Sequence, residues 1–245
     1  SYYWHSRLYK IIDFAWNEVE FIYFSENETT WSQFDLKTIK MINWNSEKEI
    51  SFTYTIWSDF ESSHNIVKLI DSANNTYVEN TYDLNDRVSS QTYGNGTIYY
   101  DYTVDTNNKI TKNSVTDREW NVIDYYYDSF WNTVKKVIKK TSGDLEYNYE
   151  YDLNNNLIKE TKPLWNGVLY NYDINNNIIE KRLVQDTTSS WSINDIVINY
   201  TYDLNTNKPT QIVEPNGLVT NLVYDTNNTL VSKEVIWVKD YNWTD

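Results

Sequence analysis

The sequence predicts an all-β protein built from antiparallel β-hairpin repeats of about 22 residues each. Three observations lead to this fold class. A tyrosine–aspartate or valine–aspartate pair recurs along the chain, a second series of turns lies about half a period away, and the intervening segments alternate polar and apolar residues. A repeat of this length marks an array in which each unit buries its apolar face against its neighbours.

The first series of turns, which we name the YD turns, begins at seven aspartates and is mostly rich in asparagine. The aspartates are Asp83, Asp105, Asp128, Asp152, Asp173, Asp203 and Asp225. Subtracting successive positions gives 22, 23, 24, 21, 30 and 22 residues. Each aspartate is expected to accept backbone N–H bonds across its turn, which is a structural, Asx-type role.

One residue of each YD turn must reverse the chain, and we expect it to have a positive φ. Glycine usually fills such a slot, and asparagine is the best substitute because its short amide satisfies the local backbone. The chain has only five glycines in 245 residues. The residues predicted for the slot are Asp86, Asn108, Asn155, Asn176 and Asn228. At the last three, glycine is expected to be neutral or better for stability, and alanine to cost on the order of 1 kcal/mol.

The second series of turns divides each period into two strands of about eight to nine residues. Its members are Gly94-Asn95-Gly96, Trp120-Asn121, Ser142-Gly143-Asp144, Asn166-Gly167, Asn194-Asp195 and Asn216-Gly217. Asparagine–glycine pairs between alternating segments are a strong hairpin signal, because both residues tolerate positive φ. Between the turns, Tyr147, Tyr149 and Tyr151 alternate with polar residues, as in a strand with one aromatic face. No window shows convincing helical spacing.

Residues 149–157 resemble the unit of a known family, the RHS or YD-repeat proteins, whose pattern is approximately Tyr-x-Tyr-Asp-x-x-Gly-Arg-Leu. Asn155 stands in the glycine slot of that pattern, and Arg87 keeps the family's arginine. The resemblance covers nearly the whole chain and is clear from about residue 76 onward, with the glycine slot as its main departure. The family includes bacterial polymorphic toxins, wall-associated proteins and teneurins.

This resemblance implies a curved or spiralling sheet of hairpins that forms part of a YD-repeat shell. On this basis we expect residues 1–75 to be degenerate, Trp-rich YD-like repeats and residues 76–245 to be regular YD repeats, all in one continuous array. We expect the chain to be a fragment of a larger protein. The implied partners are flanking domains or an enclosed cargo of the same polypeptide, with cell-surface glycans or proteins as further partners. The implied location is extracellular or at the cell surface.

The composition argues against other classes of partner. The net charge is −14 and the isoelectric point is near 4.5, which disfavours nucleic acids and anionic lipid surfaces. The sequence holds no apolar run of 18 or more residues, so this segment is not expected to insert into a membrane. It also lacks cysteine and therefore a disulfide framework.

Calcium binding is the first candidate chemistry to consider, because Asp152, Asn154 and Asn156 have the spacing of ligands in a calcium loop. The glycine expected at the sixth position is Leu157, however, and the acid expected at the twelfth is Pro163. We therefore interpret these turns as structural and expect no metal or cofactor. With only two histidines and no nucleophile motif, no catalytic residue is predicted. Paired carboxylates of a glycoside-active enzyme stay open as a third alternative.

Eleven tryptophans are many for a chain of this length. In the first quarter they recur about once per strand, and we favour packing between hairpins as their role. The alternative is a carbohydrate- or cell-surface-binding adhesin, for which Trp16, Trp31 and Trp44 are the candidate ligand-facing aromatics. Their exposure would discriminate the two. The function predicted first is a non-enzymatic structural segment of an RHS/YD-repeat surface or secreted protein, in toxin delivery or cell-surface interaction.

Overall fold

The computed structural model describes residues 7–25, 35–43, 45–55, 64–188, 192 and 194–237, and these residues form strands and turns without a helix. The described residues contain 19 strands in one antiparallel sheet, and each pairs with its neighbours in sequence. The predicted fold class is therefore confirmed. The strands are β1 (Lys10–Ile12), β2 (Glu18–Tyr23), β3 (Leu36–Asn43), β4 (Ser46–Tyr54), β5 (Ile66–Asp71), β6 (Thr76–Tyr82), β7 (Val88–Tyr93), β8 (Gly96–Val104), β9 (Ile110–Thr116), β10 (Val122–Tyr127), β11 (Thr133–Ile138), β12 (Leu145–Tyr151), β13 (Leu157–Thr161), β14 (Gly167–Tyr172), β15 (Ile178–Val184), β16 (Ile196–Tyr202), β17 (Pro209–Val213), β18 (Leu218–Tyr224) and β19 (Leu230–Trp237).

The chain divides into two compact units. Unit 1 contains Ser1–Asp101 and Ser114–Asn121, and unit 2 contains Tyr102–Asn113 and Val122–Asp245. The expected change from degenerate to regular repeats near residue 75 stays a prediction. Within either unit, successive turns of the antiparallel meander alternate between the two edges of the sheet. The YD turns of a unit therefore lie at the same ends of the strands, along one side of the sheet that we name the YD edge. The remaining turns lie at the other ends of the strands, along the opposite edge.

A register shift recurs where strands reach the YD edge. Glu150 of β12 pairs with Lys159 of β13, but Tyr151 pairs with Leu157, so one residue of β13 is left over. The same irregularity precedes the YD turns after β14, β16 and β18 in unit 2, and after β6 in unit 1. Such bulges increase the local twist of a strand pair, and here they are part of the repeat.

The apolar core is small. Among the described residues, the buried hydrophobic side chains are Val137, Val168 and Val184, all in unit 2. Much of the stabilisation must therefore come from cross-strand pairs on the two faces of the sheet. Lys68 and Glu79, for example, lie directly opposite each other in β5 and β6, and their charged groups are 3.0 Å apart. Among the described residues, no helix has the length and apolar character of a membrane span.

Candidate functional site: a ladder of linked turns

Six of the seven YD turns are held by their aspartate in one repeated geometry, for which the turn at Asp152 is the example. The turn at Asp203 is one residue longer, and its aspartate accepts from the N–H groups two and three residues later. The Asp152 N–H donates to the Asn156 carbonyl at 3.0 Å, and the Asn155 N–H donates to the Asp152 carbonyl at 3.1 Å. The Oδ1 atom of Asp152 accepts from the N–H groups of Asn154 and Asn156, both at 2.9 Å. Its Oδ2 atom accepts from the Asn156 side-chain amide at 3.0 Å. The aspartate closes the turn, as an Asx-type residue does.

These bonds stabilise the charged form of the carboxylate. The Asn156 side chain and then the Asn156 N–H lower the pKa of Asp152, and the Asn177 side chain does the same for the pKa of Asp173. The carboxylate oxygens point towards N–H donors, which is the wrong arrangement for coordinating a cation. Among the described residues, no group of three or more His, Cys, Asp or Glu is arranged to hold a metal ion. The absence of calcium binding stays a prediction.

The five residues proposed for the chain-reversing slot all have a positive φ. The values are 66° at Asp86, 61° at Asn108, 63° at Asn155, 64° at Asn176 and 63° at Asn228. These are left-handed backbone conformations, which asparagine and aspartate adopt more readily than other non-glycine residues. The slot residues of the remaining two YD turns were not among the predicted ones. In the turn at Asp128 the slot holds Trp131 (φ 70°), and in the turn at Asp203 it holds Asn207 (φ 55°).

Neighbouring YD turns are linked to one another by side chains. The asparagine that ends one turn donates its amide to the slot residue of the next turn. Three such bonds follow in series in unit 2: Asn132 to Asn155 at 3.1 Å, Asn156 to Asn176 at 2.8 Å, and Asn177 to Asn207 at 3.2 Å. Two lysines extend the series, because Lys109 donates to the Ser129 carbonyl and Lys208 to the Asn228 carbonyl. We name this series the turn ladder.

The turn ladder gives a reason for asparagine where glycine would be expected. In Asn156, one amide hydrogen serves its own Asp152 and the other serves Asn176 of the next turn. Glycine at position 176 would keep the positive φ but would leave that second hydrogen without its acceptor. We therefore revise the expectation that glycine is neutral at all three asparagines. We now expect glycine to be neutral at Asn228, whose backbone carbonyl is the acceptor, and destabilising at Asn155 and Asn176, whose side chains accept the bonds.

The tyrosine of the YD pair joins neighbouring turns a second time. Its hydroxyl donates to the backbone carbonyl near the start of the adjacent strand, which follows the preceding turn at the YD edge. In the YD pairs these bonds run from Tyr82 to Ile66 (2.7 Å), Tyr151 to Thr133 (3.1 Å) and Tyr172 to Leu157 (2.7 Å). Tyr23 and Tyr54, which end β2 and β4 without a following aspartate, make the same kind of bond to the carbonyls of Leu8 (3.0 Å) and Leu36 (2.8 Å). Tyrosine is thus needed for its hydroxyl as well as for its ring.

The opposite edge uses the same aspartate geometry with different slot residues. Asp13, Asp71 and Asp117 each accept from the backbone N–H groups two and four residues later. The slot residue is a tryptophan in three turns of this edge, namely Trp16 (φ 65°), Trp120 (φ 66°) and Trp165 (φ 66°). A tryptophan–asparagine pair marks each of these turns in the sequence, but we had interpreted such a pair only at Trp120.

Of the three candidate ligand-facing aromatics, Trp16 lies among the described residues. Trp16 is 71% exposed and, with Glu18, Ile42 and Asn43, lines an open cleft of about 500 Å³ in unit 1. Trp31 and Trp44 lie outside the described residues. The exposure of Trp16 fits the adhesin alternative better than a packing role.

Comparisons with known proteins show a likeness of fold. No family model matches the sequence, and no curated protein matches it. Among solved structures, the chain is similar to the TcdB2-TccC3-Cdc42 complex, with a TM-score of 0.54 and 12% identity over 96% of this chain. It is also similar to TcdB2-TccC3, with a TM-score of 0.56 and 12% identity over 94% of this chain. In both cases it spans 15% of the other chain. The likeness is one of fold, and the fold is an RHS/YD-like array of β-hairpins.

Proposed function

We propose that the chain is a non-enzymatic segment in the wall of a β-shell that encloses or displays another domain of the same larger polypeptide. The turn ladder is the observation that carries this proposal. It joins each hairpin to the next at the YD edge by side-chain bonds from Lys109 onward through unit 2. A sheet stabilised mainly between neighbouring hairpins extends readily in one direction and needs little core.

A role in toxin delivery is the one that the resemblance to RHS/YD-repeat proteins implies, and two structures of similar fold are complexes that contain TcdB2 and TccC3. The resemblance also supports partners that are domains of the same assembly, and a secreted or cell-surface location. Containment suits a wall whose net charge is −14, since such a wall repels nucleic acids and other acidic macromolecules.

Protease protection in the complete polypeptide tests this proposal. We expect the domain flanking or enclosed by the array to be digested by thermolysin much more slowly within the polypeptide than when expressed alone. The double variant Asn156→Ala/Asn177→Ala, which breaks two links of the turn ladder, should accelerate that digestion. The control Asn121→Ala removes an asparagine that serves only Asp117 and should change it less. Equal digestion of the domain inside and outside the polypeptide would contradict the proposal.

A cell-surface-binding adhesin is the second candidate, and the exposed Trp16 is the observation that favours it. Attachment of the purified chain to cultured cells, compared between the wild type and Trp16→Asn, tests it. Asparagine suits the slot, as it does in the turn at Asp71, where Asn74 has φ 63°. The wild type should attach and the variant should not. Equal attachment of both would exclude Trp16 as the contact.

A further inference from the structure

A second exposed tryptophan, Trp165, lines two clefts of unit 2. The larger cleft, of about 470 Å³, is formed by Leu164 and Trp165 with Gln185, Asp186 and Thr188. The smaller one, of about 250 Å³, lies where the indole meets polar side chains of β12 and the end of β13. The larger cleft falls within the range of roughly 300–1,000 Å³ that is usual for ligand sites.

The region that carries this cleft holds several of the most buried side chains among the described residues. Thr161, Val168, Val184 and Thr187 are each at most 7% exposed. A Cβ atom on Gly167 would lie 1.9 Å from the Glu160 carbonyl oxygen and 2.7 Å from the Thr187 methyl group. The turn that carries Trp165 is therefore held in place by close packing, and a precise binding site requires such rigid support.

The polar wall of the cleft comes from the connection that follows β15. The period that begins at Asp173 is 30 residues long, and its extra residues form the connection between β15 and β16. Thr187 fixes this connection to the tryptophan turn, because its N–H donates to the Trp165 carbonyl at 2.8 Å and its hydroxyl accepts from Thr161 at 3.0 Å. Loops that depart from a regular scaffold are common places for binding residues.

The backbone conformation of Trp165 is unfavourable for so large a side chain, which points to a functional role for the ring. A bulky residue with positive φ is uncommon, and other turns of the same edge hold glycine in this slot, such as Gly143 and Gly217. Trp120 offsets the strain by stacking on Tyr99, with 6.0 Å between ring centroids and 19° between planes. Trp165 has no such partner ring among the described residues and is 64% exposed.

We propose that this cleft binds a neutral glycan, with one pyranose ring stacked on the Trp165 indole. The C–H groups on one face of a pyranose carry partial positive charge and suit the negative face of an aromatic ring. Sugar hydroxyls would bond to Gln185, Asp186 and Thr188. Gln185 makes no hydrogen bond to another described residue, and the bonds of Asp186 use only its Oδ1 atom, so both side chains have capacity for a ligand. None of the described residues that line the larger cleft is a lysine or arginine, which disfavours a phosphate or carboxylate ligand.

Ligand-observed saturation-transfer NMR with the whole chain tests this site. The probes are methyl pyranosides and linear tetrasaccharides of glucose, galactose, mannose, xylose and N-acetylglucosamine, with a random octapeptide library as the competing class. We expect at least one sugar to bind. Trp165→Asn keeps a residue suited to positive φ and removes the indole, and it should raise the Kd at least about tenfold, as loss of a central aromatic anchor does.

Two further variants separate binding from folding. Gln185→Ala lies in an exposed loop position and should raise the Kd about threefold through the loss of one hydrogen bond. Trp120→Asn makes the same substitution in an equivalent turn of unit 1 and should leave the Kd within about twofold, because Trp120 lines neither cleft. The proposal is overturned if no sugar gives a signal at about 10 mM, which corresponds to an affinity too weak to be specific. It is also overturned if only peptides bind, or if Trp165→Asn binds sugars like the wild type. None of these outcomes affects the proposal that the chain is part of a shell wall, because protease protection tests that proposal separately.

Discussion

The two edges of the sheet build the same kind of turn from different residues. At the YD edge, six of the seven described positive-φ slots hold asparagine or aspartate, and Trp131 is the exception. At the opposite edge, the seven slots hold three tryptophans, three glycines and one asparagine. Both choices satisfy the backbone. Four slot side chains at the YD edge accept a bond from a neighbouring turn, namely Asp86, Asn155, Asn176 and Asn207. At the opposite edge the tryptophan ring either packs or stays exposed.

The largest expected effect concerns packing at the opposite edge. Gly167→Ala places a Cβ atom 1.9 Å from the Glu160 carbonyl oxygen, so the backbone must move, and we expect a loss of more than about 3 kcal/mol in the free energy of unfolding. Gly143→Ala meets no neighbouring atom and should cost about 1–2 kcal/mol from backbone strain alone. Urea unfolding of both variants measures the difference. Equal losses would show that the tight packing near Trp165 contributes nothing.

The tyrosine bond at the YD edge should have a smaller effect. Tyr172→Phe removes the hydroxyl that donates to the Leu157 carbonyl at 2.7 Å, and we expect a loss of about 1 kcal/mol. Tyr170→Phe is the matched control two residues earlier, because its hydroxyl makes no hydrogen bond to a described residue. Thermal unfolding of the two variants gives the comparison. If both are as stable as the wild type, the YD tyrosine acts through its ring alone.

The turn ladder makes a sharper prediction about glycine. Asn176→Gly removes the acceptor for the amide of Asn156, whereas Asn228→Gly leaves the acceptor of Lys208 in place. Relief of the positive φ favours both variants, so Asn228→Gly should be neutral or better. We expect Asn176→Gly to be less stable than Asn228→Gly by about 1 kcal/mol in urea unfolding. The reverse order would remove the turn ladder as the reason for asparagine.

Acid should weaken the turns that aspartates close. Because hydrogen bonds lower the pKa of Asp152 and Asp173 in the folded state, the stability they contribute is complete above the unfolded value of about 3.9. That contribution is lost as the pH falls through the lower, folded values. Asp152→Asn should therefore have a lower Tm than the wild type at pH 6, and the gap should close by about pH 2. A constant gap at every pH would contradict the role of the charge.

Calcium should have no effect. The YD aspartates direct their oxygens to N–H donors, so millimolar calcium or a chelator should leave the Tm unchanged. Differential scanning calorimetry with and without calcium checks this. A rise of several degrees on adding calcium would mean that the turns rearrange around the ion.

Much of the fold was predictable because its signals are local. The alternation around Tyr149 gave the strands, and the aspartate spacing gave the period and the positive φ at Asn155. The tryptophan slots were missed because a bulky residue is a poor candidate for positive φ on propensity alone. Trp165 was also missed because its surroundings depend on a connection 20 residues later in the chain.

The sequence by itself determined the hairpin repeat, since two-residue alternation and turn chemistry act within a few residues of each other. The tertiary structure alone decided what each turn residue does for its neighbours. The bond from Asn156 to Asn176 spans 20 residues and the bond from Tyr172 to Leu157 spans 15. Such contacts exist only once the hairpins lie side by side in register. Asparagine at this position of the turn can replace glycine in one turn and also accept a bond from a neighbouring turn in another. The second role depends on the strand spacing of the sheet, which brings the turns together.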